Sequence, residues 1–459
     1  MVNFTAGSVL TASALNTAFN AATINAQTGS SYTFGTADAG ELVTLSNASG
    51  GTATIPANST WGAATGTIVS VMNVGTAGSF TISGGTAVTV NAVNNDPILA
   101  PLESAILVKL ATNTWHMVKA SENQSVSDGQ NLLYNGAMQV AQRGTSTASI
   151  TTSGYYTADR WNLAVVSQGT WTNSIENDAP TGSGLRKSFK VLCTTADAAP
   201  AASDLVLVAQ LLEGQDLQRV AKGTASAQQL TLSFWVKANV TGTYICDLID
   251  ADNSRQVSAS YSVSASATWE KKSITFPADT TGAFDNDNAL SLRVRWWLGA
   301  GTDYTSGTLA TSWASTVNAN AAVGQTNVAA ATNNYWQITG VQLEVGPVAS
   351  SFEFKSFGQE LRECQRYYQI INGGNGWNPL TTLARFLFPL SPRLRANPTA
   401  ITLTQAGTYN HPGGNGTPTA LTLNTSLPAG AFVDADVTGL TANQPGTLYN
   451  AIYGISAEL

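Results

Sequence analysis

Between Leu230 and Val236 the sequence alternates strictly: Leu230, Leu232, Phe234 and Val236 are apolar, while Thr231, Ser233, Trp235 and Lys237 fall between and after them. Successive side chains of an extended strand point to opposite faces, so a period of two sets one face on a core and turns the other outward. A helical period would scatter the same residues around its circumference. Leu292 to Leu298 repeats the pattern, with Leu292, Val294, Trp296 and Leu298 in one phase and Arg293, Arg295 and Trp297 in the other. From Trp336 to Val345 the apolar phase runs through Trp336 and Ile338 and resumes at Val341, Leu343 and Val345. The slip at Gly340 predicts a β-bulge or bend. Many such runs joined by turn residues predict an all-β chain of several β-sandwich or jelly-roll modules.

At 459 residues the chain is long for one core, and typical domain sizes predict about three domains. Only 11% of residues are charged and the net charge is -7. Phosphate binding draws on clustered Lys and Arg, which are scarce here, so no nucleic acid is expected as the main partner. No stretch reaches the roughly 18 to 20 apolar residues of a membrane span, and no membrane insertion is expected. Cys193, Cys246 and Cys364 are an odd number without CxxC spacing, which reads as three free thiols made in a reducing cytosol. The first residues lack the basic and continuous apolar regions of a signal peptide.

The pattern divides the chain into five parts. Residues 1–28 carry a short helical signal, Leu15 and Phe19 four apart with Thr11 or Ser13 to cap it, too short to be stable without packing. Residues 29–120 read as a small β-domain, in which Thr67 to Val74 suggests a strand covered on both faces. The polar stretch 121–130 reads as a linker. Residues 131–357 hold the cleanest period-two strands and form the sandwich. In 358–459 a short helix within Gln359 to Ile370, with Leu361, Cys364 and Tyr368 on one face, precedes a C-terminal β-domain.

Material for catalysis is sparse. His116 and His411 are the two histidines, too few for a His-based triad or a His/Cys zinc site, and His116 reads as a sheet-face residue. There is no Walker-type loop and no GxSxG motif, and the Gly-rich spots lack a following helix. The densest acidic spots are Asp247, Asp250 and Asp252, and Asp285 and Asp287. They suit hairpin turns, since Asp and Asn cap turns through their own side chains. A structural calcium is the alternative, although the run lacks the Gly and distal Glu of an EF-hand. A glycosidase carboxylate pair comes third, because no long coil repeat appears. The expectation is a chain that is not an enzyme, with no metal site and no cofactor.

Eleven tryptophans in a chain so poor in charge suggest stacking on sugar rings. Trp161, Trp296 and Trp336 sit in core phase and fill the sandwich. Trp235 and Trp297 lie on the polar side of their strands, Trp297 in phase with Arg293 and Arg295 and Trp235 beside Lys237. They are read either as a glycan platform or as a subunit interface, where Trp and Arg are enriched. Tyr304 and Trp313, in a loop-like insert, and Tyr409 and His411, in the turn-rich segment 408–416, complete the candidate ligand-binding set.

Several ordered motifs add a resemblance. Gly223 to Tyr244, with Thr268 to Gly282 and Ile338 to Gly346, resembles a β-sandwich module of tailed-bacteriophage tail-fibre and related virion proteins. Asn131 to Gly144, the Asp159-Arg160-Trp161 triplet and Phe352 to Tyr368 match the same proteins. The start, GSVLTASALNTAFN, is similar to the virion-proximal end of many phage fibres. The stretch ending in KLATNTWHMV is similar to a tail-protein module, and PLSPRLRANPTAI to a distal tip domain. The resemblance implies a carbohydrate-binding-like jelly roll, homotrimerisation and attachment to phage tail or other virion proteins through the N-terminal segment. It further implies adhesion to a host surface polysaccharide from the virion. The rivals are a purely structural head or collar fibre or adaptor, and a glycan depolymerase.

Overall fold

The computed structural model describes residues 24–92, 97–119, 131–418 and 421–459, with the backbone alone at 425–427. The helix expected near Leu15 and Phe19 and the linker expected at 121–130 lie outside the described residues. Strands dominate, helices are few and short, and the chain divides into two compact units, Met1–Ser127 and Asp128–Leu459.

In the first unit the strands Ile24–Gln27, Leu42–Leu45 and Ile68–Asn73 pair in parallel. In a second sheet so do Ser31–Thr33, Gly51–Ile55 and Phe80–Gly84. The chain therefore visits each sheet once per turn, as an open β-solenoid does, and not as the sandwich expected. Parallel pairing needs a crossover between partners, and short apolar runs do not reveal it. Ile24 lies beside Leu42 and Leu42 beside Ser70, so successive turns differ in length and leave no fixed repeat in the sequence. At the corners Gly50 and Gly78 are both in the left-handed region, and a Cβ on either would lie 2.2 Å from backbone of the neighbouring turn. Val43, Val69, Val71, Phe80, Ile82 and Leu107 fill the core. The strand Ile68–Asn73 buries one face only: Val69 and Val71 point in, and Ile68 stays exposed. The two-sided cover expected there is not found.

In the second unit two antiparallel sheets face each other. One has six strands, in the order Ser146–Ile150, Thr170–Glu176, Ser188–Thr195, Tyr335–Val345, Leu230–Ala238 and Glu270–Phe276. The other has seven, in the order Gly154–Tyr155, Asn162–Val166, Leu205–Glu213, Leu290–Ala300, Gly242–Asp250, Arg255–Val263 and Ala314–Ser315. Trp161, Phe189, Phe234, Trp296 and Trp336 lie between them. Both alternating runs deliver their apolar phase to this core, Leu230 to Val236 from one sheet and Leu292 to Leu298 from the other. The sheets meet through side chains and stay open, rather than closing into the jelly roll expected. At Gly340 φ is +59°, the register between Tyr335–Val345 and Leu230–Ala238 shifts, and a Cβ would sit 2.6 Å from Leu185 Cδ1. The slip is thus a glycine-dependent irregularity.

The helix Phe357–Gln365 is capped by Ser356, whose hydroxyl accepts from the Gln359 amide. It ends before Tyr368, which opens the strand Tyr368–Leu380 and so leaves the helical face expected to include it. That strand belongs to an antiparallel sheet over a separate core of Phe386, Phe388, Tyr409, Val433 and Tyr453. A buried network ties this sheet to the other two. Arg160 is fully buried, pairs with Glu458, donates to the Leu211 carbonyl and stacks 3.4 Å from the Tyr367 ring centre. Arg143 bonds Glu458 at 3.1 Å, and Arg366 forks onto Glu213 at 3.0 and 2.7 Å. Cys193, Cys246 and Cys364 are free and buried.

Candidate functional site

The outer face of the seven-stranded sheet gathers most of the residues singled out in the sequence. Its central strand, Leu290–Ala300, presents Arg293, Arg295 and Trp297 there. Arg293 lies opposite Leu211 and Ile249, Arg295 opposite Ala209 and Asp247, and Trp297 opposite Leu207.

One end of this face is roofed. The insert after Ala300 folds down through the helix Thr302–Thr305, and Ala321 and Ala322 pack with Leu207, Ile245 and Trp297. Trp297 is 0% exposed, so it is not the outward platform expected. The Tyr304 ring lies 5.3 Å from the Trp297 ring, and the Trp297 Nε1 donates to Asp247 at 3.2 Å. Period-two reasoning assigned the strand face correctly and missed that a later segment returns to cover it. Arg295 forks onto buried Asp247 at 2.8 and 2.5 Å, with its guanidinium 5.0 Å from the Trp297 ring centre. That bidentate geometry satisfies both charges.

The other end is open. Arg293 and Leu211 are half-buried, while Ile249 is buried, with 6% exposed. Among the described residues Arg293 has no hydrogen bond or ion pair. Burial, and after it the charge of Arg295, push the Arg293 guanidinium below its ordinary pKa. Leu211 and Ile249 were not singled out in the sequence. Ile249 could have been, since Ile245, Asp247 and Ile249 alternate on one strand; Leu211 lies in the apolar run LVLVAQLL, which hides its phase.

The remaining candidates lie elsewhere. Trp235 belongs to the six-stranded sheet, opposite Lys271 and Thr339. Trp313 donates to the Pro277 carbonyl at 2.8 Å and covers Lys222, a wall residue rather than part of the Arg293 face. Segment 408–416, expected as an exposed loop, is a hairpin of Thr408–His411 and Gly414–Gly416. Tyr409 is a core residue whose hydroxyl donates to Asn378 at 2.6 Å. His411 stacks on Tyr409, accepts at Nδ1 from the Gly413 amide and borders an open groove of about 400 Å³ with Asn375, Asn410, Pro445 and Thr447.

The acidic spots are engaged within the protein. Asp250 accepts from Lys222 at 2.5 Å and from the Asn253 amide at 3.0 Å, as a turn-capping Asp does. Asp252 accepts from the Asp285 amide, and Lys222 also reaches Asp279 at 3.1 Å. Among the described residues no group of three or more His, Cys, Asp or Glu is placed to hold a metal ion. No described helix is long and apolar enough to cross a membrane.

No family model matches the sequence, and no curated protein matches it. Among solved structures the chain is similar to the enzymatically active domain of bacteriophage CBA120 tailspike protein 4, at 11% identity and TM-score 0.27, over 71% of this chain and 39% of that one. It is similar to a family 11 carbohydrate-binding module from Clostridium thermocellum in complex with a β-1,3-1,4-mixed-linked tetrasaccharide. That likeness is at 8% identity and TM-score 0.23, over 45% of this chain and 98% of the module. An exo-β-agarase is similar at 8% identity and TM-score 0.26, over 48% of this chain and 25% of that one. The chain spans about two fifths of the tailspike structure, and likenesses at these scores carry no functional argument. They do correct one expectation. With an enzymatically active tailspike domain and an exo-β-agarase among the similar structures, the reading of the chain as not an enzyme is withdrawn.

Proposed function

We propose that the chain is a fibre or other tail-associated protein of a tailed bacteriophage that recognises a host surface polysaccharide. The observation that carries this reading is the open end of the seven-stranded sheet. A half-buried cation without a partner among the described residues, Arg293, stands there between half-buried Leu211 and buried Ile249. A sugar ring offers apolar C–H faces and polar edges, and a floor that alternates in this way matches both. The motif resemblance of residues 131 to 368 supports placement on a virion. The test is retention of the isolated full-length protein on host cells and on their purified polysaccharide. Absence of retention would overturn the reading in favour of a structural spacer, and release of new reducing ends would add cleavage to recognition.

Self-association belongs to the same reading. Across the outer face of the first unit Ile24, Leu42, Ser70, Ile106 and Val118 lie in one register row. Ile24, Ile106 and Val118 are exposed, an uncharged row that suits contact with further copies. Light scattering should give a trimer at micromolar concentration, and a monomer would remove this element. The five-part division is proposed with it; limited proteolysis should cut first within 121–130.

A further inference from the structure

Resting on the glycan reading, we propose that Arg293 makes the site selective for a carboxylate-bearing sugar such as a uronic acid residue. The partly or fully buried arginines Arg143, Arg160, Arg255, Arg366 and Arg395 each donate to a carboxylate or a carbonyl. Arg293 has no such acceptor among the described residues. Half burial of a guanidinium without a counter-charge is costly, and an arginine with a purely structural role would gain from a carboxylate nearby. The carboxylates on the two neighbouring strands are already taken, Asp247 by the Arg295 fork and the Trp297 indole and Glu213 by the Arg366 fork. Both pairs are therefore neutral, and Arg293 keeps its positive charge on a chain of net charge -7.

A planar carboxylate matches the guanidinium fork and accepts two parallel N–H bonds, which a neutral hydroxyl cannot reproduce. Half-buried Leu211, directly opposite Arg293 on one neighbouring strand, flanks the fork where the ring attached to that carboxylate would rest, and Ile249, opposite on the other, is buried beneath. The overall negative charge of the protein repels polyanions at long range, so the attraction is local and weakens with salt.

Saturation-transfer NMR on the full chain tests this with sodium glucuronate and galacturonate against glucose and galactose at constant ionic strength. The uronates are expected to bind at least about tenfold more tightly than the neutral sugars, a difference of about 1.4 kcal/mol, and Arg293→Gln to abolish that preference. Leu211→Glu, which sets a carboxylate beside Arg293, should abolish it too while keeping the fold. Equal binding of uronates and neutral sugars, or uronate binding unchanged in Arg293→Gln, would overturn the proposal. Inorganic sulfate competing as well as a uronate would overturn it too, by making the spot a general anion site. If host polysaccharide is retained while the uronate preference is missing, acid selectivity alone fails. If nothing is retained, the glycan reading fails with it.

Discussion

Arg293 and Trp297 stand four residues apart on the same side of one strand, and their surroundings differ completely. Trp297 lies under the insert that follows its own strand, against Ala321, Ala322 and Tyr304. Arg293 faces outward, half-buried between Leu211 and Ile249, with no counter-ion among the described residues. Arg295, between them, is neutralised by Asp247. One sheet face thus has two different ends: the roofed half packs into the fold, and the half around Arg293 is the proposed glycan site.

Substitutions should separate the two halves by their effect on stability. The largest loss is expected for Trp297→Ala, about 3 to 5 kcal/mol by chemical denaturation, because it empties a fully buried site. A loss under about 1 kcal/mol would mean that the insert does not pack as described. Asp247→Ala should cost about 3 kcal/mol, since it leaves Arg295 and the Trp297 indole without their buried acceptor. A third expectation sharpens the contrast through pH. Burial first, only partly offset by Arg143 and by Gln142 hydrogen bonds, raises Asp159 to about 6. The folded state then binds a proton more readily than the unfolded state between about pH 4 and 6. Relative to Asp159→Asn, the wild type should lose about 2 to 3 kcal/mol as pH rises through that window. A pH-independent difference would contradict the assignment. The smallest effect is expected at the open end: Arg293→Gln should stay within about 0.5 kcal/mol of wild type, and a large loss there would make Arg293 structural.

Strand phase was the most legible property of the chain. Leu292, Val294, Trp296 and Leu298 could be assigned inward because period two is local, and the same holds for the break at Gly340, where φ is positive. Cover was not legible. Nothing within the segment Leu290 to Leu298 records that Ala321 and Ala322 will lie over Trp297, so an indole in polar phase looked exposed. Pairing direction was hidden as well: Leu42 to Leu45 and Ile68 to Asn73 read as ordinary strands, and the solenoid turns that align them in parallel differ in length and so leave no repeat to read. Tyr409 misled for a related reason, since its turn-rich neighbours are the hairpin Gly414–Gly416 and the strand Thr408–His411 over an apolar core. Of the candidate binding set, Arg293 was placed on the outward face by alternation alone. Its lack of a counter-ion became visible only when Asp247 was seen to belong to Arg295.

The central claim is that recognition sits at the open end of the seven-stranded sheet, and adhesion of the full chain to host cells tests it most directly when wild type, Leu211→Glu and Asn410→Ala are compared. The account predicts at least about a tenfold loss of adhesion for Leu211→Glu, about 1.4 kcal/mol, with Asn410→Ala at the tip groove close to wild type. Undiminished adhesion of Leu211→Glu together with loss in Asn410→Ala would contradict it and move recognition to the groove beside His411.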